Sequence, residues 1–267
     1  MGVGVGPDER ERARRALRDE TLWHDLECSA YRADVPLWHE LAERHGDRIL
    51  EIGAGTGRVA LELARAGHSV TALERDTSLV QALRRRAAGM PVEVTEGDAR
   101  ALELAHRDFS LCIVAMQTIQ LFGGAGGRAA FLGRARLHLR AGGVLACAIL
   151  GPVQPFDCAG GEPGPAPEAA RADGLLCVSV PMRVRARRRG VVIERERRVF
   201  PGEHDERPGA SDSDRALARE RCVVELDRVS ERSLRREGAA AGLRPLPSAT
   251  VAATEDHVGS AVVMLGA

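Results

Sequence analysis

Between residues 48 and 150 the spacing of apolar positions alternates between two periods. Short apolar-rich segments fall at Arg48–Ile52, Ser69–Leu73, Ser110–Met116 and Val144–Leu150, and an alternating one at Val92–Glu96. Runs of this length are too short for helices and read as strands, most of them covered on both faces. Between them, Arg58–Ala66, Ser78–Ala88 and Arg128–Leu139 carry helical spacing, with Gly67 and Gly142-Gly143 as stops. Strands alternating with helices predict βαβ units on a parallel sheet. Upstream, residues 8–27 read as one Arg- and Glu-rich helix, and a second helix starts near Asp34-Val35-Pro36. Downstream, the Gly/Pro/Ala-rich stretch 159–173 reads as a loop, Leu175–Val184, Val191–Phe200 and Glu220–Val229 as strands, and 201–216 as a charged loop. Ser230 is a good N-cap for a helix running to about Ala241, with Gly242 just past its end. Residues 249–265 close the chain with strand-like segments, and residues 1–6 read as a loose end.

The chemistry concentrates where the first strand runs into a turn with Gly53, Gly55 and Gly57 and then into a helix. Glycine there permits positive φ and lets a ligand lie against bare backbone. A dinucleotide fingerprint needs glycine at position 58, which is Arg58, and a P-loop needs lysine, which the chain lacks. Pyrophosphate ligands are disfavoured on both counts. Glu74 ends the second strand, 17 residues after Gly57, where a carboxylate can accept from a ribose diol. Asp98, in Gly97-Asp98-Ala99 after the third strand, can accept from an adenine amine. Met116-Gln117 after the fourth strand offers an apolar wall and a polar contact.

LEIGAGTGRVALELARAGHSV, LERD, EGDAR, MQTIQLF and LRAGGVL, in this order and spacing, resemble the class I S-adenosylmethionine-dependent methyltransferases of small molecules. The resemblance covers about residues 30–150. It implies an α/β, Rossmann-like doubly wound sheet of seven strands in the order 3-2-1-4-5-7-6, the last strand antiparallel. It implies cofactor contacts at Tyr31, Glu51, Gly53, Ala54, Gly55, Gly57, Glu74, Arg75, Asp98, Ala99, Met116 and Gln117. Arg75 stands where the family often has an apolar residue against adenine. Tyr31, the one tyrosine, precedes the first strand where relatives often close over the cofactor. The implied organisation is an N-terminal helical cap over the site (1–47), the cofactor-binding core (48–150), an inserted loop and antiparallel strands as substrate cover (151–229) and a last helix with strands completing the sheet (230–267).

The implied reaction is in-line transfer of a methyl group to a nitrogen or oxygen of a small molecule, with S-adenosylhomocysteine as product. No metal is expected. Candidate bases or positioning groups are Tyr31, Gln117, Gln120, His138 and His257; catalysis is assigned to Tyr31, Gln120 and His257. A non-catalytic cofactor-binding module and an RNA or protein methyltransferase remain as alternatives.

Composition narrows the partners. Lys+Arg and Asp+Glu are both 38, so the formal net charge is zero, which disfavours a dedicated nucleic-acid or membrane binder. Every basic residue other than histidine is arginine, so Schiff-base and lysine-base chemistry is excluded. Eight arginines crowd residues 183–198, where a solvated strand face partly paired with Glu194 and Glu196 is expected. The six cysteines show no CxxC or metal-ligand spacing. Residues 7–20 are too charged for a signal peptide and no apolar run could span a bilayer, so a cytoplasmic location is expected.

Overall fold

The computed structural model describes residues 7–46, 48–160, 162, 164–202, 215–254 and 257–267. The expected loose end at 1–6 and most of the expected charged loop lie outside them. In chain order the elements are α1 (Pro7–Leu17), α2 (Glu20–Cys28), α3 (Val35–His45), β1 (Ile49–Ile52), α4 (Ala60–Arg65), β2 (Val70–Glu74), α5 (Thr77–Arg86), β3 (Val92–Glu96), β4 (Phe109–Val114), α6 (Gly124–His138) and β5 (Leu139–Leu150). There follow β6 (Phe156–Asp157), β7 (Glu168–Ala172), β8 (Leu175–Arg187), β9 (Gly190–Pro201), β10 (Ala218–Asp227), α7 (Glu231–Ala240), β11 (Arg244–Pro245), β12 (Ala249–Val251) and β13 (Ser260–Gly266). The chain forms two compact units, residues 31–153 with 226–267 and residues 1–30 with 154–225. The first helical segment, read as one piece over 1–47, is therefore divided: α1 and α2 belong to one unit and α3 to the other.

In the larger unit the strands run β11-β13-β5-β4-β1-β2-β3. The five strands β1 to β5 pair parallel, and β13 lies antiparallel against β5 and β11. This is the 3-2-1-4-5-7-6 order, with β13 in the seventh place. The sixth place differs from expectation, because β11 is only two residues long and the chain pairs with β13 again as β12, giving eight strands. Pro245 and Pro247 lack the N–H that a longer ladder needs. Alternation along β1 sends Ile49 into one apolar layer with Trp38, Leu63 and Leu83. It sends Leu50 and Ile52 into the other, with Phe131, Leu132 and Leu234. Helices thus cover both faces of the sheet, which is why its strands read as continuous apolar runs.

Local signals place most helix ends. Asp76 accepts from the N–H groups of Ser78 and Leu79 at 2.9 and 3.1 Å at the start of α5. Ser230 and Ser233 cap α7 reciprocally, and Gly242 follows at φ +82°. α6 departs from expectation. It begins at Gly124, and β5 starts directly at Leu139, with Gly142-Gly143 inside the strand rather than ending the helix. A Cβ at Gly143 would meet the Phe109 carbonyl oxygen at 2.8 Å, so these glycines serve the irregular β4–β5 register.

In the smaller unit the strands run β10-β9-β8-β6, with β7 also on β8. β7 corrects the reading of 159–173 as loop throughout, since Glu168–Ala172 pairs along β8 despite its small side chains. The expected helix 8–27 is two helices, broken before Asp19, whose carboxylate accepts from Leu22 N–H at 3.1 Å and starts α2. Ala13, Trp23 and Leu26 from these helices pack with Leu175, Cys177 and Val199. The arginine-rich hairpin is less solvated than its sequence implies. Arg197 grips Glu27 with two bonds of 3.0 Å, Arg183 pairs with Asp157 at 2.6 Å, and Arg198 is fully buried beside Glu196. Among the described residues no helix is long and apolar enough to cross a membrane.

Candidate functional site

The chain leaves β1 at Ile52 and turns at once through three positive-φ glycines, Gly53 (+67°), Gly55 (+57°) and Gly57 (+99°). The N–H groups of Gly53 and Ala54 both donate to the Leu73 carbonyl, at 2.8 and 3.1 Å, so the turn is tied to β2. A Cβ at Gly53 would stand 2.6 Å from Thr118 Cγ2, and one at Gly57 2.5 Å from Leu83 Cδ1. Positive φ and close approach together require glycine at both positions. Gly53 is exposed, so bare backbone faces outward at the carboxyl end of the parallel strands. Ala54 is buried beneath it.

Glu74 closes on this turn. Its Oε2 accepts from the Gly55 N–H at 2.9 Å, and its Oε1 from the N–H groups of Arg75 and Asp76 at 2.7 and 3.0 Å. The carboxylate is held in one orientation with an acceptor site left on Oε2. At the end of β4 the backbone is strained, with Met116 at φ +52°, an uncommon conformation for a residue with a side chain. Met116 and Gln117 are half-buried there.

Three other expected residues are committed elsewhere. Gln120 is buried; its Nε2 donates to the Asp227 carbonyl at 2.8 Å and its Oε1 accepts from Leu150 N–H at 2.7 Å. Both ends of the amide bind backbone, so Gln120 acts as a clamp on the end of β5, which corrects its assignment as a base or positioning group. Gln120→Leu is expected to lower stability by about 1–3 kcal/mol, because the Leu150 N–H loses its acceptor. Urea unfolding checks this; a stable variant with lost turnover would restore the catalytic assignment. His138 is fully buried, with Nε2 accepting from Leu104 N–H at 3.0 Å and Nδ1 2.8 Å from the Arg134 carbonyl. It is a packed core histidine. Asp98 accepts from the Arg100 N–H at 2.8 Å, and the Arg100 guanidinium grips both its oxygens. These bonds hold its carboxyl down at about 2. An adenine amine would have to share Asp98 with Arg100. Ala99 is buried and Arg75 exposed.

Behind the glycine turn lies a polar cluster that sequence reasoning missed. Arg58, the first residue after the turn, forms two bonds to Asp34, NH1–Oδ1 at 2.6 Å and NH2–Oδ2 at 2.8 Å. Both side chains are buried, at 7% and 2% exposure. Trp38 Nε1 donates to the same carboxylate at 2.8 Å, and Arg58 also donates to the Tyr31 carbonyl and lies 5.3 Å from the Tyr31 ring centre. The pair thus locks α3 and Tyr31 to the turn. The only sequence signal was an arginine where nucleotide turns favour glycine, with an acid ahead of the α3 tryptophan.

Tyr31 is buried, and its hydroxyl oxygen makes no hydrogen bond. Burial pushes this phenol up and the Asp34 carboxylate adds to the push; the nearby Ser260 hydroxyl and Arg58 offset part of it. The Tyr31 and His257 ring centres are 5.0 Å apart, tilted by 43°. The structure therefore brings together two residues 226 positions apart in the chain that were read separately as candidate groups. Glu51, in the middle of β1, is 2% exposed and its Oε2 has no partner. Burial pushes its carboxyl up to about 8, against the opposing pull of Arg58 and the Ala60 N–H.

Residues 49–143 match the family model described as a methyltransferase domain. Among solved structures, the chain is similar to an S-adenosylmethionine-bound amino pentose methyltransferase from Micromonospora echinaspora involved in calicheamicin biosynthesis. The identity is 20%, with 99% of each chain covered and a TM-score of 0.64. A sugar N-methyltransferase from Streptoalloteichus sp. superposes with a TM-score of 0.63 at 18% identity, covering 98% of this chain and 95% of that one. Among curated proteins, a protein-L-isoaspartate O-methyltransferase from Methylorubrum extorquens is 49% identical over 63 residues, 23% of this chain and 28% of that protein. A ribosomal RNA small subunit methyltransferase A from Methylococcus capsulatus is 44% identical over 59 residues, 22% of this chain and 23% of that protein. The chain spans less than a third of the length of these curated relatives.

Proposed function

We propose that this protein, with its methyltransferase domain over residues 49–143, transfers a methyl group from S-adenosylmethionine to a nitrogen or oxygen of a small molecule. The observation that carries the reading is the Glu74 carboxylate held on the Gly55 N–H in a glycine turn whose first residue, Gly53, is exposed. That arrangement suits a ribose diol lying on backbone. The unpartnered, buried Oε2 of Glu51 next to the same turn fits a positively charged ligand. The backbone of Gly53, Ala54, Gly55 and Gly57, the Glu74 carboxylate, Ala99, Met116 and Gln117 would hold the cofactor.

When bound, the cofactor supplies a methyl group already activated on a cationic sulfur. What remains for the protein is to orient the acceptor, exclude water and take up a proton. Tyr31 and His257 fit these tasks. The free Tyr31 hydroxyl can orient an acceptor amine or hydroxyl, and the half-buried His257 ring beside it can accept the proton. A small acceptor is supported by the sugar and amino pentose methyltransferases among the structural neighbours and by the internal pairing of many hairpin arginines. The RNA reading rests on short matched segments of the ribosomal RNA enzymes.

Calorimetric titration with S-adenosylmethionine, with NAD and ATP as controls, tests the cofactor. Binding of the first alone is expected. Glu74→Ala is expected to weaken it by about 1.5–3 kcal/mol, roughly tenfold to a hundredfold, through loss of charge-assisted hydrogen bonds. Unchanged affinity in the folded variant would remove Glu74 from the site. Conversion to S-adenosylhomocysteine with an amino sugar, but not with RNA, separates the small-molecule enzyme from an RNA enzyme and from a non-catalytic module.

A further inference from the structure

Glu51 is a buried carboxyl in β1, two residues before the glycine turn. Its β1 neighbours Leu50 and Ile52 pack in one apolar layer, and Glu51 points to the other side of the strand, with Ile49. It is 2% exposed, and one of its two oxygens meets no donor at all. The charged groups around it are Arg58 and Asp34 from the turn and α3, and Glu74 from β2. The Arg58 guanidinium is committed, by two bonds to Asp34 and one to the Tyr31 carbonyl. Asp34 and Glu74 are negative and oppose ionisation of a third carboxyl. The Ala60 N–H is the one backbone donor acting on it. A dry carboxyl with an empty acceptor site and no free cation holds its proton.

We infer that Glu51 releases a proton to solvent when S-adenosylmethionine binds, so that cofactor binding is a proton exchange. The inference rests on the cofactor assignment above. The ligand brings two positive charges, a sulfonium and an ammonium, and one carboxylate, to a turn that begins two residues after Glu51. Placed beside the buried carboxyl, that positive charge favours its ionised form. The O–H bond of Glu51 breaks, the electron pair stays on the carboxylate, and the proton passes to buffer. No other bond changes. By linkage, affinity then rises with pH as long as free Glu51 is protonated and bound Glu51 is not.

Burial supports the window, since it sets the free carboxyl at about 8. Affinity should climb on the order of tenfold per pH unit between pH 6 and pH 7.5. The test is calorimetric titration with S-adenosylmethionine at pH 7 in phosphate and in Tris, whose ionisation enthalpies differ. The difference in observed heat counts protons. Release of close to one proton by the wild-type protein, falling to near zero in Glu51→Gln, is the expected result. Equal proton counts in both proteins overturn the inference, as does a wild-type affinity flat between pH 6 and pH 7.5. The wild-type count and pH profile stand even if the variant does not fold. Absence of any heat and of any thermal shift in folded wild-type protein sinks the cofactor assignment itself, an outcome distinct from binding without proton release.

Discussion

Arg58→Met is expected to destabilise the protein by about 3–5 kcal/mol, one of the two largest effects foreseen for a single substitution. The reason is the carboxylate left behind. Asp34 is 2% exposed and receives two bonds from Arg58. Removing one partner of such a pair strands a buried charge, and that penalty exceeds what the pair contributes in place. The Trp38 indole would still donate to that carboxylate, but no cation would pair it among the described residues. Asp34→Asn should also cost stability, because the buried Arg58 guanidinium then loses its paired carboxylate. The double variant Asp34→Leu/Arg58→Met should recover much of the loss, since nothing charged is stranded. Urea unfolding of the wild type, Asp34→Leu, Arg58→Met and their double variant forms the cycle, and a loss below about 1 kcal/mol for Arg58→Met would refute the account. Both single variants should also weaken the cofactor, because the pair holds α3 to the residue that ends the glycine turn.

The second large effect depends on pH. Glutamate in an unfolded chain ionises near 4.5, whereas burial holds Glu51 protonated up to about 8 in the fold. Between these values the folded protein keeps a proton that the unfolded chain has lost. Unfolding therefore becomes easier as pH rises, by about 1.4 kcal/mol per unit. The contribution is fully present below pH 4.5 and is gone above about 8. Glu51→Gln keeps the shape and has nothing to titrate. Relative to wild type it should gain roughly 3–5 kcal/mol between pH 4.5 and pH 9. Other groups titrate alike in both proteins, so the difference isolates this carboxyl. A stability difference that does not change with pH would mean that Glu51 is ionised in the fold.

The same substitution separates stability from binding. A carboxyl that destabilises the free protein above pH 8 is kept at a cost, and proton exchange with a cationic cofactor gives that cost a use. Gain of stability together with loss of proton release in Glu51→Gln would tie the two observations to one group.

Much of this architecture was legible in the chain. The apolar central strands and the glycine turn follow from local chemistry: a parallel strand buried on both faces is apolar, and a turn at positive φ favours glycine. The cap at Ser230 and the stop at Gly242 were legible for the same reason. Where local signals were mixed, expectation failed. Gly142-Gly143 resembled a helix stop, yet they serve the approach of β5 to β4, a contact set by residues more than thirty positions away. Glu168–Ala172 has loop-like composition but becomes β7 because β8 offers it a partner.

Side-chain roles show the division most sharply. Gln120, His138, Asp98 and His257 are equal candidates as letters in a chain, because each can donate, accept or carry a proton. The fold spends Gln120 on two backbone groups and His138 on two more, pairs Asp98 with Arg100, and sets His257 beside Tyr31. Position along the chain determined the glycine turn and the acid that ends the next strand, since both belong to one βαβ unit, while the sheet order was implied by the family resemblance. That the Tyr31 hydroxyl and the Glu51 Oε2 are among the polar atoms left without a partner was decided only by tertiary packing. Hydrogen-bond satisfaction and desolvation depend on everything that surrounds a group, and those surroundings come from residues far apart in sequence.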